Sequence, residues 1–212
     1  MDRYGDHALV CPCKGDRTVR HNAVRNVAYS EAVEAGMRPE KEKAGLLPGR
    51  PREDGLPPES CQRRPTDIWI PRGRDNWSEA LDFACTSALR ADYLQSVPEQ
   101  PSKVFEDYEG FKKTFKNTAD ECDAQGFTFT PMVVEAHTGA WSPNARQVWD
   151  QMAKSQSAAW NEEGDVASIR IAQRLVFALH RENARAILRR AEAPADHQVQ
   201  TGWSDIVHEV DL

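Results

Sequence analysis

Two short apolar segments, separated by a turn, constrain the fold of this chain more than any other feature of its sequence. Residues 67–71 are rich in β-branched and aromatic side chains and end at a proline, and residues 80–87 are almost continuously apolar. Such residues favour strands, and an apolar run of this length fits a strand that is buried in a sheet. The intervening residues 72–78 are suited to a turn. The two segments therefore predict a β-hairpin whose second strand is buried.

Apolar residues at helical spacing predict helices on either side of this hairpin. We expect helices over residues 22–35 and 106–125, a third starting at Ser142 and Pro143, and a fourth over residues 165–191. The inward face of the fourth helix is predicted to carry Val166, Ile169, Ala172, Leu175, Val176 and Leu179. Residues 127–136 predict a further strand. This order of elements indicates an α/β fold with a small mixed sheet flanked by helices.

The length of 212 residues fits one domain, or one domain with an appendage. We expect a Cys/His segment and first helix over residues 1–35, a core over 36–140, C-terminal helices over 141–192 and an acidic, disordered tail over 193–212. Residues 44–65 are rich in Pro, Gly and Arg, which predicts a long functional or mobile loop.

The charge is unevenly distributed along the chain. The net charge of −6 argues at face value against a nucleic-acid partner. Residues 1–75, however, hold 14 Lys and Arg against 12 Asp and Glu, whereas residues 76–212 hold 13 against 21. The scattered arginines of the first part are equally typical of a solvated surface, so the charge neither excludes nor establishes such a partner.

The cysteines and the apolar runs bear on location. Five cysteines, without a secretory signal, favour a reducing compartment over a disulfide framework. No apolar run approaches the roughly 18 residues that a membrane-spanning helix requires. We therefore expect an intracellular protein with no membrane partner.

Four acidic residues stand at or near the predicted strands: Glu42, Asp67, Asp82 and Glu135. A carboxylate such as Asp82, inside an apolar strand, is costly to bury unless it is paired or binds a cation. The predicted hairpin would bring Asp67 and Asp82 together. With a third carboxylate nearby they would form an oxygen site of the kind that Mg²⁺ prefers, able to polarise a phosphate and activate water. Alternatively, both aspartates are turn or edge residues with ordinary hydrogen bonds.

The N-terminal segment carries a second candidate metal site. His7, Cys11, Cys13 and His21 are all suitable zinc ligands, although their spacing is not that of a standard C-x2-C knuckle. In the alternative reading the two histidines are hydrogen-bonded caps and Cys11 is a core residue. His21 and its neighbours could also contact phosphate at the N-terminus of the first helix, where backbone N–H groups favour anions.

Seven short segments, taken together, resemble a known group of proteins. They are residues 5–11 (GDHALVC), 20–22 (RHN), 42–48 (EKAGLLP), 64–67 (RPTD), 81–87 (LDFACTS), 126–135 (GFTFTPMVVE) and 174–184 (RLVFALHRENA). Their order is similar to that in the C-terminal region that follows the reverse transcriptase in retroelement proteins of algae and other protists. The middle of the chain, residues 36–140, resembles the PD-(D/E)XK, or restriction-like, endonuclease fold.

This resemblance implies metal-dependent cleavage or nicking of DNA, with Mg²⁺ or Mn²⁺ as the cofactor and a nuclear location. It implies that Glu42 is the acid of the first helix, that Asp67 is the aspartate of the Pro-Asp motif, and that Asp82 is the first acid of the (D/E)-x-K motif. All three would be catalytic and would hold the metal. Thr66 separates Asp67 from the motif proline, which is a departure from the family pattern.

A second departure concerns the motif lysine, because position 84 is alanine. Some restriction-like enzymes supply this cation from the following helix, where Lys112, Lys113 and Lys116 are available. Lys112 is our choice for the catalytic lysine, and a solvated helix face is the alternative. If no lysine reaches the site, the chain would be an inactive nucleic-acid-binding or scaffolding module. DNA is the expected partner, with RNA or a reverse transcriptase domain as the alternatives.

Overall fold

The computed structural model describes residues 9, 15–49, 65–73, 76–90, 93–94, 96 and 99–191. In chain order the elements are helix α1 (Asp16–Glu34), strands β1 (Glu40–Lys41), β2 (Ile68–Ile70) and β3 (Ser78–Thr86), helices α2 (Lys103–Thr114) and α3 (Thr118–Ala124), strand β4 (Phe127–Glu135), and helices α4 (Pro143–Trp160) and α5 (Gly164–Ala191). The prediction of an α/β fold with a small mixed sheet flanked by helices is confirmed.

The strands form one sheet in the order β1-β2-β3-β4. Strand β2 pairs antiparallel with β1 on one side and with β3 on the other, whereas β3 and β4 are parallel. The predicted hairpin of β2 and β3 is therefore confirmed. The edge strand β1 was not predicted, because two residues are too few to show an alternating pattern.

Apolar side chains cover both faces of the sheet. Leu81 and Phe83 of β3 belong to the larger core, to which α1, α4 and α5 also contribute. Ala80, one position away, faces a smaller core that includes Cys122 of α3. Since successive residues of a strand point to opposite faces, this division explains why β3 is apolar almost throughout.

The single helix predicted over residues 106–125 is wrong. Helices α2 and α3 are separated by a 3₁₀ turn, Phe115–Asn117. Lys116 and Asn117 have φ values of 52° and 55° there, in the left-handed region that interrupts an α-helix. The apolar spacing continues across the break, so periodicity alone does not reveal it.

The predicted inward face of the last helix is partly wrong. Leu175 and Leu179 are buried, as expected, but Val166 and Ile169 are 47% and 55% exposed and Ala172 is also exposed. The buried apolar residues are Ala167, Ile171, Leu175, Ala178, Leu179 and Ala186. Helix α5 has apolar residues on two opposite sides, so its sequence pattern does not show which side faces the core.

The predicted start of α4 is confirmed, since the Ser142 hydroxyl accepts a hydrogen bond from the Ala145 N–H and Pro143 is the first helical residue. Helix α1 begins at Asp16, six residues before the predicted start. Most of the predicted loop, and the predicted tail over residues 193–212, lie outside the described residues. Among the helices that the structure describes, none is long and apolar enough to cross a membrane.

Candidate carboxylate and lysine site

Three of the predicted acids lie in one row across the sheet. Ile68 of β2 is paired with Leu81 of β3, and Asp67 contacts both chain neighbours of Asp82: its N–H donates to the Leu81 carbonyl, and its Oδ2 accepts from the Phe83 N–H. On the other side of β2, the Glu42 N–H donates to the Asp67 carbonyl at 3.0 Å. Three adjacent segments thus bring Glu42, Asp67 and Asp82 to neighbouring positions, although the residues are far apart in sequence.

The inserted Thr66 holds the beginning of β2 in this register. Its buried hydroxyl lies 2.6 Å from the Ile68 carbonyl oxygen and 2.9 Å from the Leu81 carbonyl oxygen, and both oxygens are acceptors. The Asp67 N–H donates to the Leu81 carbonyl at 3.0 Å. The departure from the Pro-Asp pattern therefore provides a side chain that fixes Asp67 beside β3.

The Asp67 carboxylate lies beside the part of β3 that carries Asp82. Oδ2 of Asp67 accepts a hydrogen bond of 2.6 Å from the Phe83 N–H, which fixes this carboxylate against β3. Burial raises the pKa of Asp82, and the neighbouring Asp67 charge raises it further. A cation placed near both carboxylates would relieve this cost.

Lys112 of α2 supplies such a cation. Its Nζ lies 2.9 Å from Oδ2 of Asp82, and both side chains are largely buried, at 11% and 20% exposure. Burial alone would lower the pKa of Lys112, but the facing Asp82 carboxylate outweighs it and raises the pKa above the usual value. The ammonium is therefore charged at neutral pH. The structure places a lysine beside the acid pair even though the motif position is the small, buried Ala84.

His21 joins the site from α1. Its Nε2 lies 2.9 Å from Oδ1 of Asp67, with the histidine side chain 31% exposed. Sequence reasoning missed this contact. Helical spacing gives no signal for it, because His21 shares a helical face with Val24 and Ala28, which pack in the larger core.

The contact with Asp67 also bears on the predicted zinc site. It engages Nε2 of His21, one of the two ring nitrogens that could bind a metal. The other predicted ligands, His7, Cys11 and Cys13, lie outside the described residues, so the zinc site stays a prediction.

Glu42 is not on the first helix, contrary to what the resemblance implies. It follows β1 and forms an ion pair with Arg25 of α1. The three acids of α1 have other partners. Asp16 pairs with Arg190 at 3.0 Å, Glu31 accepts a hydrogen bond of 2.9 Å from Gln156, and Glu34 pairs with Arg174 at 3.0 Å. No acid of the first helix therefore replaces Glu42 at the site.

Glu135, the fourth acid singled out by its position, has a structural role. Its Oε2 accepts hydrogen bonds from the backbone N–H groups of His137 and Thr138, at 3.0 Å and 2.7 Å. Its Oε1 accepts from the Ala88 N–H at 3.2 Å. The buried carboxylate is thus used to close the turn after β4.

The fit of these residues to a divalent cation is partial. Within the described ranges, no three His, Cys, Asp or Glu side chains are arranged to hold a metal ion. Each acid of the row instead faces a basic side chain: Arg25, His21 and Lys112, respectively. Asp67 and Asp82 have the oxygen chemistry and the mutual repulsion that suit Mg²⁺, whereas Glu42 would first have to leave Arg25.

The comparisons with known proteins add no family to this geometry. No protein-family model matches the chain, and no curated protein matches it.

Proposed function

We propose that this chain is a metal-dependent endonuclease-like domain that cleaves or nicks DNA, associated with a retroelement. Residues 36–140 would form its restriction-like core. The observation that supports the proposal most is the position of Lys112. Its Nζ lies 2.9 Å from Oδ2 of Asp82, and Asp67 is the neighbouring acid. Two carboxylates and one charged amine, on a hairpin and the following helix, are the groups that such chemistry needs.

The division of labour follows from the surroundings of each group. Asp67 and Asp82 would hold Mg²⁺ or Mn²⁺, which when bound polarises a phosphate and lowers the pKa of water. Lys112 is held in place by Asp82 and would stabilise the negative charge that develops on the phosphate during cleavage. His21 would keep the Asp67 carboxylate oriented through its hydrogen bond.

A second candidate function is an inactive nucleic-acid-binding or scaffolding module derived from such a domain. The observation in its favour is that all three acids already face cationic or basic partners, with Glu42 paired to Arg25. If these pairs are stable, they compete with a metal ion for the same oxygens. Binding to DNA would then remain while cleavage would not.

The two functions are separated by incubating the purified chain with supercoiled plasmid and either Mg²⁺ or Mn²⁺. The proposal predicts nicked circles that depend on the metal and disappear in Asp82→Asn and Asp67→Asn. Glu40→Gln is the matched control, because it removes an exposed carboxylate that pairs with Lys43, two residues from Glu42. This control should nick like the unaltered chain.

Two outcomes would count against nuclease activity. Nicking that persists in Asp82→Asn and Asp67→Asn would come from a contaminant or another site. No nicking with either metal, combined with retention of the plasmid in a gel-shift experiment, would support the binding module instead.

A further inference from the structure

Helix α5 carries an apolar stripe on the side opposite the core. The stripe consists of Val166, Ile169, Phe177, Ile187 and Leu188, with exposed fractions of 47%, 55%, 69%, 37% and 60%. At 1.5 Å per residue it extends over roughly 33 Å of helix. Ala167, Ile171, Leu175 and Ala178 are buried on the other side of the helix.

A helix at the surface normally has one apolar face and one polar face, whereas α5 carries large apolar side chains on two opposite sides. Phe177 is the most exposed of them, at the middle of the stripe. The described residues leave its ring open to solvent.

The chain itself contains a segment with the matching pattern. Beyond the described residues, Trp203, Ile206, Val207 and Val210 follow one another at spacings of three, four and seven from the first. This is the pattern of one apolar side of a short helix, and it would present four apolar side chains to the stripe.

The length of the connecting segment allows this segment to return along the helix. Residues 192–202 separate α5 from Trp203, and a chain of that length spans at most about 36–40 Å when extended. The stripe, at roughly 33 Å, lies within this reach. Pro194 disfavours continuation of the helix and so favours a change of direction soon after Ala191.

The charges of the two segments are complementary. Helix α5 contains six arginines and two acidic residues, whereas residues 192–212 contain five acidic residues and neither Lys nor Arg. Arg181 and Arg185 are 47% and 57% exposed and share one carboxylate, that of Glu182, so together with it they keep a net positive charge. An acidic segment beside them would be attracted, particularly at low salt.

We propose that residues 203–210 pack along the exposed apolar stripe of α5 in the same chain. This docking would replace the expectation of a disordered tail for those residues. It does not depend on the nuclease proposal, because neither the stripe nor residues 203–210 include any of the acids in the row.

The test follows Trp203 by acrylamide quenching of its fluorescence. The emission of Trp203 is obtained by subtracting the emission of the Trp203→Phe variant from that of the full chain. A peptide of residues 199–212 gives the quenching constant of a fully exposed Trp203. We expect Trp203 to be shielded relative to the peptide, over a wide range of chain concentrations. Phe177→Asp should weaken docking by about tenfold or more and restore quenching, because it removes a large apolar contact.

Ala158→Asp is the matched control, since it adds the same charge at an exposed position of α4. It should leave Trp203 shielded, and circular dichroism of both variants should show retained helix content. Hydrogen exchange at residues 203–210 provides a second readout, with slower exchange in the full chain than in Phe177→Asp.

Two results would overturn the proposal. Trp203 that is quenched in the full chain as readily as in the peptide would mean that the segment does not dock. Size-exclusion chromatography shows whether the chain associates. If Trp203 is shielded only at concentrations where it does, a second copy covers the stripe.

Discussion

Nζ of Lys112 lies 2.9 Å from Oδ2 of Asp82, and the two residues belong to different elements, α2 and β3. In a (D/E)-x-K motif the lysine stands two positions after the acid, where this chain has Ala84. Here the amine that contacts Asp82 comes from helix α2, 30 positions further along the chain.

Replacing Lys112 by methionine should lower the rate of metal-dependent nicking by about 10²–10³-fold, as for the loss of one charged transition-state contact. Methionine keeps the apolar stem, so α2 should remain packed. The measurement is the initial rate of nicked-circle formation. Lys113→Met is a suitable control on the same helix, and equal loss in both variants would contradict a specific role for Lys112.

Replacing His21 by phenylalanine should weaken binding of Mn²⁺ by about 10–100-fold, because the hydrogen bond that orients Asp67 is lost. Isothermal titration calorimetry with Mn²⁺ measures the change. His180→Phe, at an exposed position of α5, is the control. Unchanged affinity in His21→Phe would show that the contact with Asp67 has no part in holding a metal.

The raised pKa of Asp82 predicts a pH dependence of stability in the metal-free protein. The folded state binds a proton at Asp82 more readily than the unfolded state does, where the pKa has its ordinary value of 3.8. The free energy of unfolding therefore falls as the pH rises above 3.8 and through the pKa of the folded state. Asp82→Asn should remove this part of the slope. Urea denaturation at a series of pH values compares the two proteins, and an identical slope would contradict the assignment.

Lys112→Met should move the same transition to higher pH, because the ammonium lowers the pKa of Asp82. The carboxyl resonance of Asp82, followed by NMR against pH, reports the change directly. A transition that stays in place would mean that the 2.9 Å contact is absent in solution.

Gly139→Ala should destabilise the protein by about 2 kcal/mol or more. Gly139 has a φ of 72°, and a Cβ there would lie 2.9 Å from Cγ2 of Val176, so both backbone strain and a clash arise. Gly126→Ala is the matched control, with a φ of 81° and no atom within 4 Å of the added Cβ. It should cost about 1 kcal/mol. The stabilities of both variants are measured by thermal denaturation. If Gly139→Ala and Gly126→Ala lose the same stability, the turn at residue 139 moves away from α5 and avoids the clash.

The fold was predictable where a local signal was strong. The β2–β3 hairpin, the strand over residues 127–135 and the Ser142 cap each depend on a few consecutive residues. The kink at Lys116 was not predictable, because it depends on two left-handed residues. The inward side of α5 was not predictable either, because it depends on which of two apolar sides faces α1 and α4. Such choices are made by packing between distant elements.

The acid pair was predictable for the same reason that the hairpin was. A hairpin sets its two strands side by side in a fixed register, so the proximity of Asp67 to Asp82 follows from the two strands. The contact of His21 with Asp67 and that of Arg25 with Glu42 were not predictable, since both require α1 to be placed over the sheet. The choice of Lys112 as the catalytic lysine comes from the resemblance and stays a prediction, whereas its contact with Asp82 depends on how α2 packs.

The edge position of β1 has a consequence for Glu42. Only two residues of β1 pair with β2, so this end of the sheet is held by few hydrogen bonds and should open locally at low free energy. Asp67 and Asp82, by contrast, are tied to the hairpin and would be released only by a larger unfolding event. Fraying of β1 would therefore let Glu42 exchange Arg25 for another cation while the remainder of the sheet stays intact.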